Sequence, residues 1–267
     1  MNRVHRCYGP GQGHSRQTVQ AASYHRAESA RERVTEVCVE PDRIRDRYRR
    51  RPEKDRRYVM LEPATLLAVQ ERQRAMVRVM RKAGMTDPST ITVLEIGCGA
   101  GGNLVEFIRM GFEPANLIGM ELVEERAAQA RRRLPEATIV ISGDAVTEAI
   151  EPASRSIVLL STVFSSVLDD DFQQRLAEVA WNAVAPGGAV VCYDFVVNNP
   201  RNRDVRAVPI KRLRTLFPEA LMVKRRVTLA PPVARWVTRI HPGLYHVFNA
   251  IPWARTHYLT WLAKPPG

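Results

Sequence analysis

Apolar residues in this chain fall into short runs divided by turn-forming residues, and the spacing predicts alternating strands and helices. Residues 91–96 form a mostly branched run with the length of a buried strand, and residues 104–108 have helical spacing that stops at Gly111. A second strand is predicted over residues 116–120, closing on Glu121. It is followed by a helix over 124–134, stopped by Pro135, and a third strand over 138–142. Residues 156–160 read as a fourth strand. Asp169-Asp170-Asp171 then caps a helix through Val184, where acids suit the positive end of the helix dipole. Ala185-Pro186-Gly187-Gly188 turns sharply into a fifth strand over 189–195. A helix near 209–217, a strand near 221–229 and a last strand near 257–263 complete the series, and residues 64–83 form a helix before the first strand. Such alternation predicts an α/β fold.

The most informative stretch is the first strand, the glycine cluster and the helix after it. Strand, glycine turn and helix make a βα unit in which a nucleotide cofactor lies against bare backbone at a helix N-terminus. Gly97, Gly99 and Gly102 satisfy the dinucleotide pattern G-x-G-x-x-G, while Gly97, Gly99 and Gly101 satisfy G-x-G-x-G, the form used by S-adenosylmethionine (SAM) enzymes. Glu95, two residues before the first glycine, suits a cofactor with a cationic amino group and a sulfonium better than one with a pyrophosphate.

At Val93-Leu94-Glu95-Ile96-Gly97-Cys98-Gly99-Ala100-Gly101 the chain resembles the first motif of the class I SAM-dependent methyltransferases. From residue 93 to 264 the resemblance implies a seven-stranded, Rossmann-like sheet, mostly parallel with the last strand inserted antiparallel. It implies SAM as cofactor, with Glu95, Gly97, Gly99 and Gly101 in the cradle and Glu121, followed by Leu122, on the ribose hydroxyls. It also implies Asp144, followed by Ala145, at the adenine amine, and Ser161-Thr162 facing the sulfonium. One departure is Arg155-Ser156, which stands where the family often carries an aromatic-Asp pair.

Composition adds a basic extension that reads first as a solvated arm and could attract nucleic acid, anionic lipid or a phosphorylated substrate. The 267 residues carry a net charge of +12, and residues 1–58 hold 15 Lys/Arg against 8 Asp/Glu. Residues 1–58 are expected to be a basic, partly disordered extension, sparse in apolar side chains up to Val34, and residues 59–267 the methyltransferase domain. Tyr48-Arg49-Arg50-Arg51 and Arg57-Tyr58 fall where small-molecule methyltransferases often place a lid over the cofactor. Cys7, Cys38, Cys98 and Cys192 form no Cys-x-x-Cys pair, which with the absence of an apolar leader or an 18-residue apolar run predicts a cytoplasmic protein with no structural metal and no transmembrane segment.

Methyl transfer is an in-line displacement that rests mainly on positioning, and a base is needed only for a hydroxyl or protonated amine acceptor. Asp194 and Tyr193, at the end of the fifth strand, are the candidate catalytic or acceptor-orienting residues. His241, His246 and His257 lack ligand spacing and read as packing or surface residues. Residues 230–252, with Trp236, Leu244, Tyr245, Val247 and Phe248, read as an insertion that forms an acceptor pocket or packs a core. If exposed, this amphipathic stretch would suit a lipid-linked acceptor. Asp194-Phe195-Val196-Val197-Asn198-Asn199-Pro200 lacks the Asn/Asp-Pro-Pro-aromatic signature of adenine- or glutamine-modifying enzymes. The expected function is methyl transfer to a small-molecule or glycan-precursor acceptor through oxygen or nitrogen. The alternatives are a nucleic-acid methyltransferase recruited by the basic extension, a dinucleotide oxidoreductase on the same glycines, and a non-catalytic SAM-binding protein. The oligomeric state has no sequence signal.

Overall fold

The computed structural model describes residues 39–50, 59–198 and 202–267. Outside them lie the expected disorder before Val34, Cys7, Cys38, Arg51, Arg57, Tyr58, Asn199 and Pro200. The described elements are α1 (Val39–Arg49), α2 (Pro63–Lys82), β1 (Val93–Ile96), α3 (Gly102–Arg109), β2 (Leu117–Glu121), α4 (Glu124–Arg133), β3 (Ile139–Ser142) and β4 (Arg155–Ser161). They continue with α5 (Asp170–Ala183), β5 (Val184–Phe195), α6 (Ile210–Leu216), β6 (Leu221–Leu229), α7 (Pro231–Ile240), α8 (Leu244–Asn249) and β7 (Arg255–Ala263).

The strands form one sheet in the order β3-β2-β1-β4-β5-β7-β6. β1, β2, β3, β4 and β5 pair in parallel, and β7 enters antiparallel between β5 and β6. This is the seven-stranded Rossmann-like sheet expected from the chain. The apolar run Ile157–Leu160 of β4 follows from burial on both faces, as an inner parallel strand requires; β1 is buried throughout as well, with Glu95 its one polar residue.

Alternation along the strands divides the core in two. Leu94, Ile96, Val158, Leu160, Val190 and Cys192 face α5 and α6. Val93, Ile157, Leu159, Val191 and Tyr193 face α2 and α3. A third cluster joins Ala64, Leu229, Ala234, Val237 and Tyr245, drawn from α2, β6, α7 and α8.

Two boundaries differ from the periodicity. β5 begins at Val184 rather than after the glycines, because Arg155 pairs with Val184 and Ile157 with Ala189, so that Pro186-Gly187-Gly188 bulges out of a continuing strand. β7 begins at Arg255, two residues earlier than its apolar run, because Leu229 extends the β6 pairing to that residue. Asp169 caps α5 as predicted, its carboxylate accepting the Phe172 N–H at 2.7 Å.

Candidate functional site

The site is built where β1, β2 and β4 end. After Ile96 the backbone takes left-handed turns at Gly97 (φ 72°), Gly99 (φ 58°) and Gly101 (φ 76°), conformations that suit glycine. The N–H groups of Gly97 and Cys98 donate to the Met120 carbonyl at 2.8 and 2.9 Å, tying the turn to the end of β2. A Cβ at Gly99 would sit 2.3 Å from the Arg126 guanidinium, which itself stacks over the Tyr48 ring at 4.6 Å. The far end of a flexible side chain thus lies over the bare backbone of the turn.

Two carboxylates flank it. Glu121 accepts from the Gly99 N–H at 2.7 Å and from the Val123 N–H at 3.0 Å. Glu95 is 1% exposed; its Oε1 accepts from Asn103 Nδ2 at 2.5 Å, and its Oε2 has no hydrogen-bond partner. Burial pushes the Glu95 carboxyl up to about 7, against the pull of the Asn103 hydrogen bond and the Arg72 charge. A buried acceptor without a partner, beside a turn stripped of side chains, fits a ligand that brings a cation to this point.

Further along, a cavity of about 270 Å³ is lined by Arg45 and Arg49 of α1 with Leu122, Val123, Glu124, Glu125, Ser142 and Gly143. Arg45 also donates to the Leu122 carbonyl at 3.4 Å. Asp144 is half-buried and accepts the Val146 N–H at 3.0 Å, with Ala145 buried next to it. At the end of β4, Thr162 is exposed and holds a positive φ of 58°, its N–H donating to the Tyr193 carbonyl at 2.7 Å. Ser161 lines a small cavity of about 30 Å³ with Arg72, Gln73, Asn103, Leu159 and Tyr193.

Tyr193 and Asp194 do not meet, because strand alternation sends them to opposite faces. The Tyr193 hydroxyl is 2.8 Å from Thr228 Oγ1, its ring stacks on His257 with centroids 5.0 Å apart, and the Arg72 guanidinium lies 5.1 Å from the ring centroid. Burial pushes the phenol above its ordinary range. Asp194 is 3% exposed, and neither oxygen has a hydrogen bond of good geometry. Burial raises it to about 7, while the Ser165 hydroxyl and the Ser165 and Phe164 amides hold it down in part.

The periodicity did not single out the polar chain that joins these parts. Arg72 Nη2 donates to Asn103 Oδ1 at 2.7 Å, and Asn103 in turn donates to Glu95. Beside Arg72, Glu71 accepts from the Thr228 N–H at 3.0 Å and the Tyr245 hydroxyl at 2.9 Å. His257 is brought down to about 4 by burial and by the Arg72 charge, so the imidazole is neutral at pH 7. The signal for Arg72 was a cation one turn before Met76, inside the stripe that buries Met76, Val79 and Met80. His257 carried no such signal, because only the β5–β7 register puts it opposite Phe195 and against Tyr193.

A sheet of this order with β7 reversed, a glycine turn after β1 and acids at the ends of β1 and β2 make up the Rossmann-like methyltransferase fold. Residues 93–188 match the family described as "Methyltransferase domain". Trans-aconitate 2-methyltransferase of Afipia carboxidovorans is 29% identical over 155 residues, 58% of this chain and 54% of that protein. The chain spans about half the length of the curated relatives it matches. Among solved structures, a Pyrococcus horikoshii protein aligns with a TM-score of 0.55 at 13% identity, covering 82% of this chain and 99% of that one. A SAM-dependent methyltransferase from Archaeoglobus fulgidus aligns at 0.51 and 16% identity, covering 74% and 98%.

Proposed function

We propose that this chain transfers a methyl group from S-adenosylmethionine to an oxygen of a small carboxylate acceptor. The observation that carries the reading is the partnerless, buried Glu95 Oε2 beside the glycine turn. Glu95 takes the ammonium of the methionine moiety, Glu121 the ribose hydroxyls, and Asp144, with Leu122 and Ala145, the adenine. Gly97, Gly99 and Gly101 keep the backbone bare, and Ser161 and Thr162 border the sulfonium. When bound, the sulfonium supplies an electrophilic methyl group, and the chain's own task is to position the acceptor for in-line attack.

Arg72 supports an anionic acceptor. Its guanidinium lines the small cavity that Ser161 and Tyr193 share, held by Asn103 on one side and set over the Tyr193 ring. A fixed guanidinium matches a carboxylate in shape and charge better than it matches the neutral hydroxyls of a glycan precursor. A carboxylate is ionised at pH 7 and needs no general base. The curated relatives are named for trans-aconitate, a carboxylate by name. Tyr193 then walls the acceptor with the His257 ring stacked against it, and Asp194 lies on the other face of β5.

Titration with SAM, S-adenosylhomocysteine and NADH tests the cofactor, and release of S-adenosylhomocysteine in the presence of small carboxylic acids tests the reaction. Micromolar binding of the two adenosyl ligands with turnover on a carboxylate, and a tenfold or greater rise in acceptor KM in Arg72→Gln, are the expected results. SAM binding without turnover on any acceptor would favour the non-catalytic reading. Turnover confined to nucleic acid would favour recruitment by the basic extension. NADH binding alone would overturn the SAM assignment.

A further inference from the structure

Between β6 and β7, α7, α8 and the short turn Pro252–Ala254 present two unlike surfaces. The inner one is the third apolar cluster, where Ala234, Val237 and Tyr245 pack with Ala64 and Leu229. It is pinned to α2 by the Tyr245–Glu71 hydrogen bond. Away from it, α7 exposes Trp236 (60%) and Ile240 (64%), α8 exposes Val247 (62%) and the short turn exposes Trp253 (78%). Trp236 and Ile240 lie one turn apart on α7 and share a face, with exposed Arg239 beside them. Single exposed apolar residues are ordinary, but four large ones in this one short segment, two of them tryptophans, need a partner.

Charge narrows the partner. Arg235 and Arg239 lie on α7 with Trp236 and Ile240, and from Ala220 to Gly267 the chain has no Asp or Glu to offset them. A second copy meeting the same face would set these cations against each other. A nucleic acid would satisfy Arg235 and Arg239 but would leave Ile240 and Val247 without stacking or hydrogen-bonding work. An anionic bilayer satisfies both halves: phosphates and serine- or glycerol-type headgroups meet the cations, tryptophans settle at headgroup level, and Ile240 and Val247 enter the acyl boundary.

We propose that the outer face of α7 and α8, with Trp253, is a docking surface for membranes rich in anionic phospholipid. Docking is peripheral, since no helix among the described residues is long and apolar enough to cross a membrane. The proposal stands apart from methyl transfer, because docking is read without cofactor or acceptor. It has a geometric consequence for the site all the same. The docked helices are tied to Glu71, the neighbour of Arg72, so a membrane-bound chain holds its acceptor-side cavity on the helix that the docking face rests against.

The test is co-sedimentation of the full chain with phosphatidylglycerol–phosphatidylcholine vesicles and with pure phosphatidylcholine vesicles, at low and high salt, with tryptophan emission recorded. The full chain is expected to bind the anionic vesicles, lose binding with salt and shift its emission to the blue. Trp236→Ser with Trp253→Ser, and separately Arg235→Gln with Arg239→Gln, should each weaken vesicle binding tenfold or more while unchanged thermal midpoints show that the fold persists. No binding to anionic vesicles overturns the proposal. Binding that both double variants leave within twofold also overturns it, since it assigns the contact to another part of the chain. A dimer dissociated by the tryptophan substitutions in place of vesicle binding overturns it in favour of self-association. A single-stranded RNA oligonucleotide that displaces the vesicles overturns it in favour of nucleic acid.

Discussion

The carboxylate of Glu121, at the end of β2, holds the backbone N–H of Gly99 at 2.7 Å, so the second strand braces the turn that follows the first. The same carboxylate accepts from Val123, leaving its remaining lone pairs to a ligand resting on the turn.

Replacing Glu121 by Ala therefore acts twice. SAM affinity should fall by about 1.5–3 kcal/mol through loss of hydrogen bonds to a charged acceptor, roughly a ten- to hundredfold rise in Kd. The thermal midpoint should fall as well, because the Gly99 and Val123 amides lose their acceptor. Calorimetric titration and a melting curve read the two effects, and unchanged affinity would remove Glu121 from the ribose site.

Gly99→Val separates the cradle from the fold. The space a Cβ would enter holds the end of the Arg126 side chain, which can swing aside, so the main cost to stability is the left-handed backbone, roughly 1–3 kcal/mol. SAM binding should nonetheless be lost, because the new side chain stands where the cofactor approaches. A folded variant that binds SAM normally would show that the turn is not the cradle.

Glu95 makes SAM binding depend on pH. Its carboxyl sits at about 7, above the ordinary 4.5, and only the ionised form pairs with an ammonium group. Below pH 7 binding must first remove a proton, so Kd should rise by up to about tenfold per pH unit from 7 towards 5.5 and level off above 8. Glu95→Gln should bind more weakly at pH 8 and show a flat profile. A wild-type Kd independent of pH between 5.5 and 8 would contradict the assignment.

Asp194 bears on stability in the opposite sense from a salt-bridged acid. Its folded value of about 7 lies above the ordinary 3.8, so the stability contributed by the protonated folded form is fully present below pH 3.8. That stability declines as pH rises towards 7 and is gone above it. Asp194→Asn should remove this decline and melt higher than the wild type at pH 8, by about 4 kcal/mol at most. Parallel stability–pH curves for the two proteins would show that the carboxyl titrates normally.

Much of the cofactor end was legible because its determinants are local. Gly97, Gly99 and Gly101 fall within five consecutive positions, Glu95 stands two residues before the first of them, and Glu121 ends the next strand of a unit whose connections are short. Apolar runs such as 156–160 announce buried parallel strands because burial on both faces leaves no place for polar residues. The acceptor side was less legible, since Arg72, Asn103, Tyr193 and His257 come from four elements that only long-range pairing unites.

The sequence by itself determined the α/β class, the strand and helix series, the glycine turn and the acids around it, since these follow from periodicity and from the backbone freedom of a few residues. The tertiary structure decided which residues share a site. Adjacent Tyr193 and Asp194 part to opposite faces because a strand alternates, and only the packing of α2 and α3 shows that the Tyr193 face carries the cavity. It likewise decided that Trp236, Ile240, Val247 and Trp253 stay outside the core, because the other face of α7 and α8 already fills the space above β6.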